Sequence, residues 1–282
     1  MTKQDIHTSS KRADSAGNRF ERLVEIMQTL RSPNGCAWDR EQTLSSLRPF
    51  VLEEAYEVVE AMDRDDRTAL CDELGDLLLE AVFVAQLCSE MGDFTISDAI
   101  NAIINKLIRR HPHVFQPSTG PDRELSPSEV KEQWDRIKLQ ERVGNPEYAT
   151  LLDSIPEALP SLIRASRIGA RTANVGFDWN TTSEVIDKAD EEMTELRDAI
   201  DSGNSDDIEE EVGDLLFTVA NLARKLQIDP ESALRTANRK FIRRFRSVEQ
   251  QLGEQKRTLH EASRKELERQ WQAVKKAETK RK

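Results

Sequence analysis

A chain of 282 residues with 37% hydrophobic and 33% charged residues has the composition of a helix-rich globular protein, and no apolar run approaches the ~20 residues of a membrane span. A formal net charge of −11 disfavours a scaffold that binds nucleic acid by neutralising phosphates. Cys36, Cys71 and Cys88 show no CxxC spacing and read as reduced packing thiols of a cytoplasmic protein.

Met1 to Asn18 is polar and Ser-rich, lacks the apolar stretch of a secretory signal, and reads as a disordered tail. Phe20, Leu23, Val24, Met27 and Leu30 then repeat at 3.6-residue spacing and predict a helix over 19–31, closed by Ser32-Pro33-Asn34-Gly35. Cys36-Ala37-Trp38-Asp39 reads as a compact loop. A helix from Thr43 or Leu44 to Met62 follows, with Pro49 expected to bend or restart it. After a polar turn at 63–66, the next helix runs from Arg67 to Met91 and is closed by Gly92. Ser97 or Asp98 is the expected cap of a helix ending in Lys106-Leu107-Ile108-Arg109-Arg110-His111-Pro112. Ser126-Pro127-Ser128-Glu129 is a capping box that opens a helix bearing Trp134 and Lys138.

A linker over 145–155 separates this unit, 19–144, from a second one over 156–282 built on the same plan. Its predicted parts are a helix near 157–172, a loop Gly176-Phe177-Asp178-Trp179, and a helix from about Ser183 to Ile200. Beyond the turn 201–204 come a helix over 206–226, one opened by Asp229-Pro230, and a last one carrying Trp271 and Lys275. No segment alternates with period two, so the expected fold is all-α: tandem, duplicated units of four to five helices each.

The duplication is sharpest in its carboxylates. Glu53-Glu54-x-x-Glu57 followed by Glu73-x-x-Asp76 recurs as Glu191-Glu192-x-x-Glu195 followed by Glu211-x-x-Asp214, every member displaced by 138 positions. Residues three apart share one helix face, so two neighbouring helices gather four carboxylates. Such a group repels itself unless a cation compensates, and an all-oxygen set suits Mg²⁺ or Mn²⁺. A single ExxE is usually a solvated face. Here the neighbours differ between copies (Ala55 and Tyr56 against Met193 and Thr194) while the acids match, which favours a site.

Basic and aromatic positions repeat as well: Lys106, Arg109 and Arg110 match Lys240, Arg243 and Arg244, and Trp134 matches Trp271. Lys240 and Arg244 share a helix face and suit phosphates, although each alone also fits a solvated surface. Trp271 could cover a base, although a Trp in such a place is more often a core or interface anchor. With no Gly-rich phosphate loop in the chain, phosphate binding has to be led by metal.

Glu-Glu-x-x-Glu, a gap, Glu-x-x-Asp and a downstream Lys-x-x-x-Arg together resemble the all-α nucleoside triphosphate pyrophosphohydrolases. The stretches Cys36-Ala37-Trp38-Asp39-Arg40-Glu41-Gln42-Thr43 and Arg109-Arg110-His111-Pro112-His113-Val114-Phe115 are similar to their two-repeat, MazG-like branch. The resemblance implies hydrolysis of NTPs or dNTPs to monophosphate and pyrophosphate, with Mg²⁺ on Glu192, Glu195, Glu211 and Asp214. It also implies Lys188, Glu191, Lys240, Arg244 and Trp271 around the nucleotide, and a homodimer packed as helical bundles. The first copy retains Glu54, Glu57, Glu73 and Asp76 as a second metal set and ranks below the other. Rival readings are a single-substrate relative acting on dUTP or phosphoribosyl-ATP, and a non-catalytic helical dimerisation or adaptor protein. A di-iron carboxylate bundle needs Glu-x-x-His pairs, which neither set has.

Overall fold

The computed structural model describes residues 15–115, 125–142 and 150–279, and every regular element among them is helical. The chain divides into two compact units, Met1–Gln140 and Glu141–Lys282. In the first unit the α-helices are α1 (Ala16–Arg31), α2 (Ala37–Glu41), α3 (Leu44–Arg64), α4 (Arg67–Met91), α5 (Ile96–Arg110), α6 (Pro112–Phe115) and α7 (Pro127–Arg142). The second holds α8 (Ser161–Ala173), α9 (Thr182–Ser202), α10 (Ser205–Lys225), α11 (Pro230–Glu254), a 3₁₀ turn at Leu259–Glu261, and α12 (Arg264–Thr279). None of these helices is long and apolar enough to cross a membrane.

Each unit is built on a helical hairpin, α3–α4 or α9–α10, and both hairpins turn on two residues. Asp65 takes the left-handed conformation (φ 55°) and Asp66 caps α4 through the amides of Thr68 and Ala69. In the second hairpin Gly203 (φ 74°) and Asn204, which caps the amide of Asp206, do the same work. So short a connection forces the helices antiparallel and side by side. Equal turn length is why the 16-residue step from Glu57 to Glu73 is reproduced from Glu195 to Glu211.

The first core forms where α1 docks on α4: Met27, Leu47, Val82, Phe83 and Leu87 are buried, with Phe20, Leu23, Val24 and Phe50 packed around them. Complete burial of a side chain such as Met27 contributes about 1.5–3 kcal/mol, enough to hold an otherwise marginal α1. In the second unit α8 crosses α10 over the fully buried Asn221, and α11 meets α12 through Val248, Leu252 and Val274.

Several boundaries differ from the sequence expectations. Ala16–Asn18, read as tail, form the first turn of α1, capped by Ser15; residues 1–14 lie outside the described residues. The loop containing Cys36 and Trp38 includes the short helix α2. Helix α3 passes through Pro49 without interruption. Thr95, rather than Ser97 or Asp98, caps α5, with Asp98 closing the capping box on the Thr95 amide. Helix α8 starts at Ser161, four residues later than expected, because Pro160 fixes an extended backbone at the entry. The linker over 145–155 falls outside the described residues up to 149, and the side chain of Lys138 is also outside them.

Candidate functional site

The two hairpins place the repeated acids as their spacing predicts, with one difference. Carboxylate oxygens of Glu54, Glu57 and Glu73 lie within 4.8 Å of one another, as do those of Glu192, Glu195 and Glu211. Asp76 and Asp214 stand outside these triplets, one turn along and one methylene shorter. Their charge still acts on the group, Asp76 on Glu54 and Glu73, Asp214 on Glu211.

Both triplets are under electrostatic strain. Burial, followed by the charges of Glu57, Asp76, Glu73 and Glu80, raises the Glu54 carboxyl above its ordinary value. Burial and then Glu57 and Asp76 raise Glu73. In the second unit burial and then Glu195, Glu192 and Asp214 raise Glu211. Glu195 is raised by burial and by a hydrogen bond with Glu192, against the pull of Lys188. Oxygens Oε2 of Glu54 and of Glu211 are buried without a hydrogen-bond partner. Buried acceptors normally find donors. An unpaired buried carboxylate oxygen beside other carboxylates fits a cation ligand, and the all-oxygen donor set fits a hard divalent ion.

The second cluster contains an internal counter-charge. Lys188 Nζ lies 2.6 Å from Glu191 Oε1 and 3.0 Å from Glu192 Oε1, and Glu192 is almost fully buried. These hydrogen bonds hold the lysine above its usual range. Lys188 and Glu191 therefore stand at the carboxylate cluster itself.

Lys240, Arg244 and Trp271 have surroundings of their own. Lys240 is exposed, and Arg244 pairs with Glu278 at 2.8 Å while its guanidinium sits 6.0 Å from the Trp271 ring centroid. Trp271 also packs against Phe241, with ring centroids 4.9 Å apart. Among the described residues, no ion pair or hydrogen bond links these three to the acidic triplet.

Sequence reasoning missed the anchoring of the loop before α9. Asp178 receives Arg224 at 2.6 Å and Lys225 at 2.8 Å, and Asn221 accepts from Arg224 Nε at 3.0 Å. Burial pushes the Asp178 carboxyl up, but the two cations outweigh it and hold it below its ordinary value. Asp178 and Arg224 are 46 residues apart, a separation with no periodic signature. This loop, with Ile168, Thr172, Phe217 and Asn221, lines a cavity of about 430 Å³. Glu80 was also missed, although Asp76-x-x-x-Glu80 has helical spacing. It is 9% exposed, its Oε2 has no partner, and its charge acts on Glu54.

Comparison with known proteins is specific. The MazG nucleotide pyrophosphohydrolase domain matches residues 42–115 and 180–248, one match over each hairpin. A Thermotoga maritima protein named nucleoside triphosphate pyrophosphohydrolase/pyrophosphatase MazG is 44% identical over 260 residues, 92% of this chain and 97% of that one. The Escherichia coli K12 nucleoside triphosphate pyrophosphohydrolase is 46% identical over 266 residues, 93% of this chain and 98% of its own length. A crystal structure of a mazG-related protein from Thermotoga maritima aligns with 42% of this chain and 98% of its own at 28% identity, with a TM-score of 0.36. Two domain matches centred on the two carboxylate hairpins, and end-to-end similarity to these relatives, place the chain in the MazG nucleoside triphosphate pyrophosphohydrolase family.

Proposed function

We propose that this protein hydrolyses nucleoside and deoxynucleoside triphosphates to the monophosphate and pyrophosphate, with Mg²⁺ as the preferred ion and Mn²⁺ as a substitute. The observation that carries the reading is the Glu192–Glu195–Glu211 triplet, whose oxygens lie within 4.8 Å and include a buried Oε2 with no donor. The names of the relatives support the same reaction.

Glu192, Glu195, Glu211 and Asp214 would hold the ion in the working unit, and Glu54, Glu57, Glu73 and Asp76 a second one in the first unit. Bound there, a divalent cation neutralises phosphate oxygens and acidifies water. The chain's own residues do the rest. Lys188 is the resident counter-ion of Glu191 and Glu192, and with those carboxylates compensated by a cation its ammonium would be available to a phosphate oxygen. Glu191, more than half exposed, then accepts from the nucleotide. We assign Lys240, Arg244 and Trp271 to the nucleotide as well, with Arg244 exchanging Glu278 for phosphate and Trp271 offering its ring to the base.

We also assign 19–144 and 156–282 to the two MazG-like units, 145–155 to their linker, and the cytoplasm as the compartment. A homodimer accounts for the apolar residues left exposed on the hairpins, namely Leu52, Tyr56, Leu74 and Leu78 in the first and Met193, Val212, Leu216 and Val219 in the second. Separating the products formed from ATP, GTP, dCTP and dUTP with Mg²⁺ tests the reaction. Monophosphate with pyrophosphate is expected; diphosphate with orthophosphate would overturn it.

A further inference from the structure

The two carboxylate clusters are alike in ligands and opposite in compensation. Where the second unit has Lys188, the first has Phe50, 138 positions earlier. Phe50 packs on the α1–α4 core, 6.0 Å edge-to-face from the Trp38 ring, so no ammonium stands at that position. Where the second unit has the buried Thr218, the first has Glu80. Glu80 stands outside the Glu54–Glu57–Glu73 triplet, but it is nine-tenths buried, its Oε2 is unpartnered, and its charge acts on Glu54 and is acted on by Asp76. Among the described residues no Lys or Arg forms an ion pair with Glu54, Glu57, Glu73, Asp76 or Glu80. To the four repeated acids the second cluster adds the ammonium of Lys188, and the first adds the carboxylate of Glu80 with no ammonium paired to it among the described residues.

We propose that the first unit binds a divalent cation by itself, in the absence of nucleotide and more tightly than the second unit, using Glu80 as a fifth acidic group beside Glu54, Glu57, Glu73 and Asp76. In the second unit an incoming cation has to displace Lys188 from Glu191 and Glu192, and a nucleotide polyphosphate that accepts the displaced ammonium makes the exchange favourable. The first unit therefore carries a resident ion that tightens the α3–α4 hairpin, and the second takes its ion together with substrate. This assignment rests on the metal-led reading of both clusters and adds an order of loading to it.

The test is Mn²⁺ binding to the metal-stripped full chain, followed by the electron paramagnetic resonance of free Mn²⁺, first without nucleotide and then with a non-hydrolysable triphosphate analogue. One tight site per chain is expected without nucleotide. Glu80→Thr or Phe50→Lys should each weaken it by on the order of tenfold, the effect of removing or offsetting one nearby charge, while Glu192→Gln leaves it unchanged. Lys188→Met should create a second tight site without nucleotide. Circular dichroism establishes that each variant is folded, and should Phe50→Lys fail to fold, Glu80→Thr and Lys188→Met carry the test. Two equal sites, a tight site lost in Glu192→Gln, or no effect of Glu80→Thr in a folded protein would overturn the assignment. Those results leave pyrophosphate release intact, whereas loss of all Mn²⁺ binding with and without nucleotide would remove the metal-led reading itself.

Discussion

Gly169 is where α8 crosses α10, and replacing it with Ala should damage the second unit by a calculable amount. A Cβ at this position would lie 1.7 Å from Asn221 Oδ1, 2.8 Å from its Cγ and 2.9 Å from Arg224 Nε. Asn221 has no room to yield: it is fully buried, donates from Nδ2 to the Phe217 carbonyl at 3.1 Å, and accepts from Arg224. Either the helices separate, at about 1–3 kcal/mol for overpacking, or the Asn221–Arg224 hydrogen bond breaks, at about 1–3 kcal/mol for a buried group. The better helix propensity of Ala returns about 1 kcal/mol. If both losses contribute, the net is about 3 kcal/mol, which lowers the urea midpoint of this unit by about 1 M at an m-value of about 2–3 kcal/mol/M. Tryptophan fluorescence reports the transition, since Trp179 lies in the loop that Arg224 anchors through Asp178. Gly253→Ala, where a Cβ meets nothing within 4 Å, is the control and should be neutral. An unchanged or raised midpoint for Gly169→Ala would refute the close crossing.

Three further outcomes follow from the charges and caps. Glu54, Glu73, Glu195 and Glu211 are all raised in the folded state, so the folded protein binds more protons above the ordinary carboxylate range. The metal-free protein should gain stability as pH falls from neutrality through those raised values, and lose it at lower pH as Asp178, Glu90 and Glu278, all lowered, become protonated. Calorimetry should show stabilisation by Mg²⁺ that is largest at pH 7–8 and fades toward mildly acidic pH; stabilisation independent of pH would count against cation binding by these acids. Asp178→Asn leaves Arg224 and Lys225 facing each other without their partner, and amide hydrogen exchange should speed up over 176–181 while α3–α4 is unaffected. Asp229 caps α11 by accepting from the Ser232 amide at 2.7 Å, so Asp229→Ala should lower stability by about 1 kcal/mol, read as a reduced melting temperature.

The sequence made the hairpins legible because their determinants are local. Apolar periodicity sets the helices, and Asp65-Asp66 and Gly203-Asn204 stop and restart them within two residues. Constant turn length carries the acids into register, so Glu192, Glu195 and Glu211 converge as their spacing implies. Long-range relations were not legible. Asp178 finds Arg224 across 46 residues, and Arg244 finds Glu278 across 34, because tertiary packing selects among many exposed charges. Lys188 was readable, through the family resemblance, as a neighbour of the nucleotide. Its role as counter-ion emerges from the 3.0 Å contact with Glu192 and the contrast with Phe50, which faces the core. Glu80 lay within helical spacing of Asp76, but its burial depends on the docking of neighbouring helices.

The most direct test of the central claim is pyrophosphate release from an NTP and dNTP panel with Mg²⁺, comparing the wild type with Glu54→Ala and Glu192→Ala. Release by the wild type and by Glu54→Ala, and its loss in a folded Glu192→Ala, is the predicted result. Full activity in Glu192→Ala, or no release from any nucleotide by the folded wild type, would contradict it.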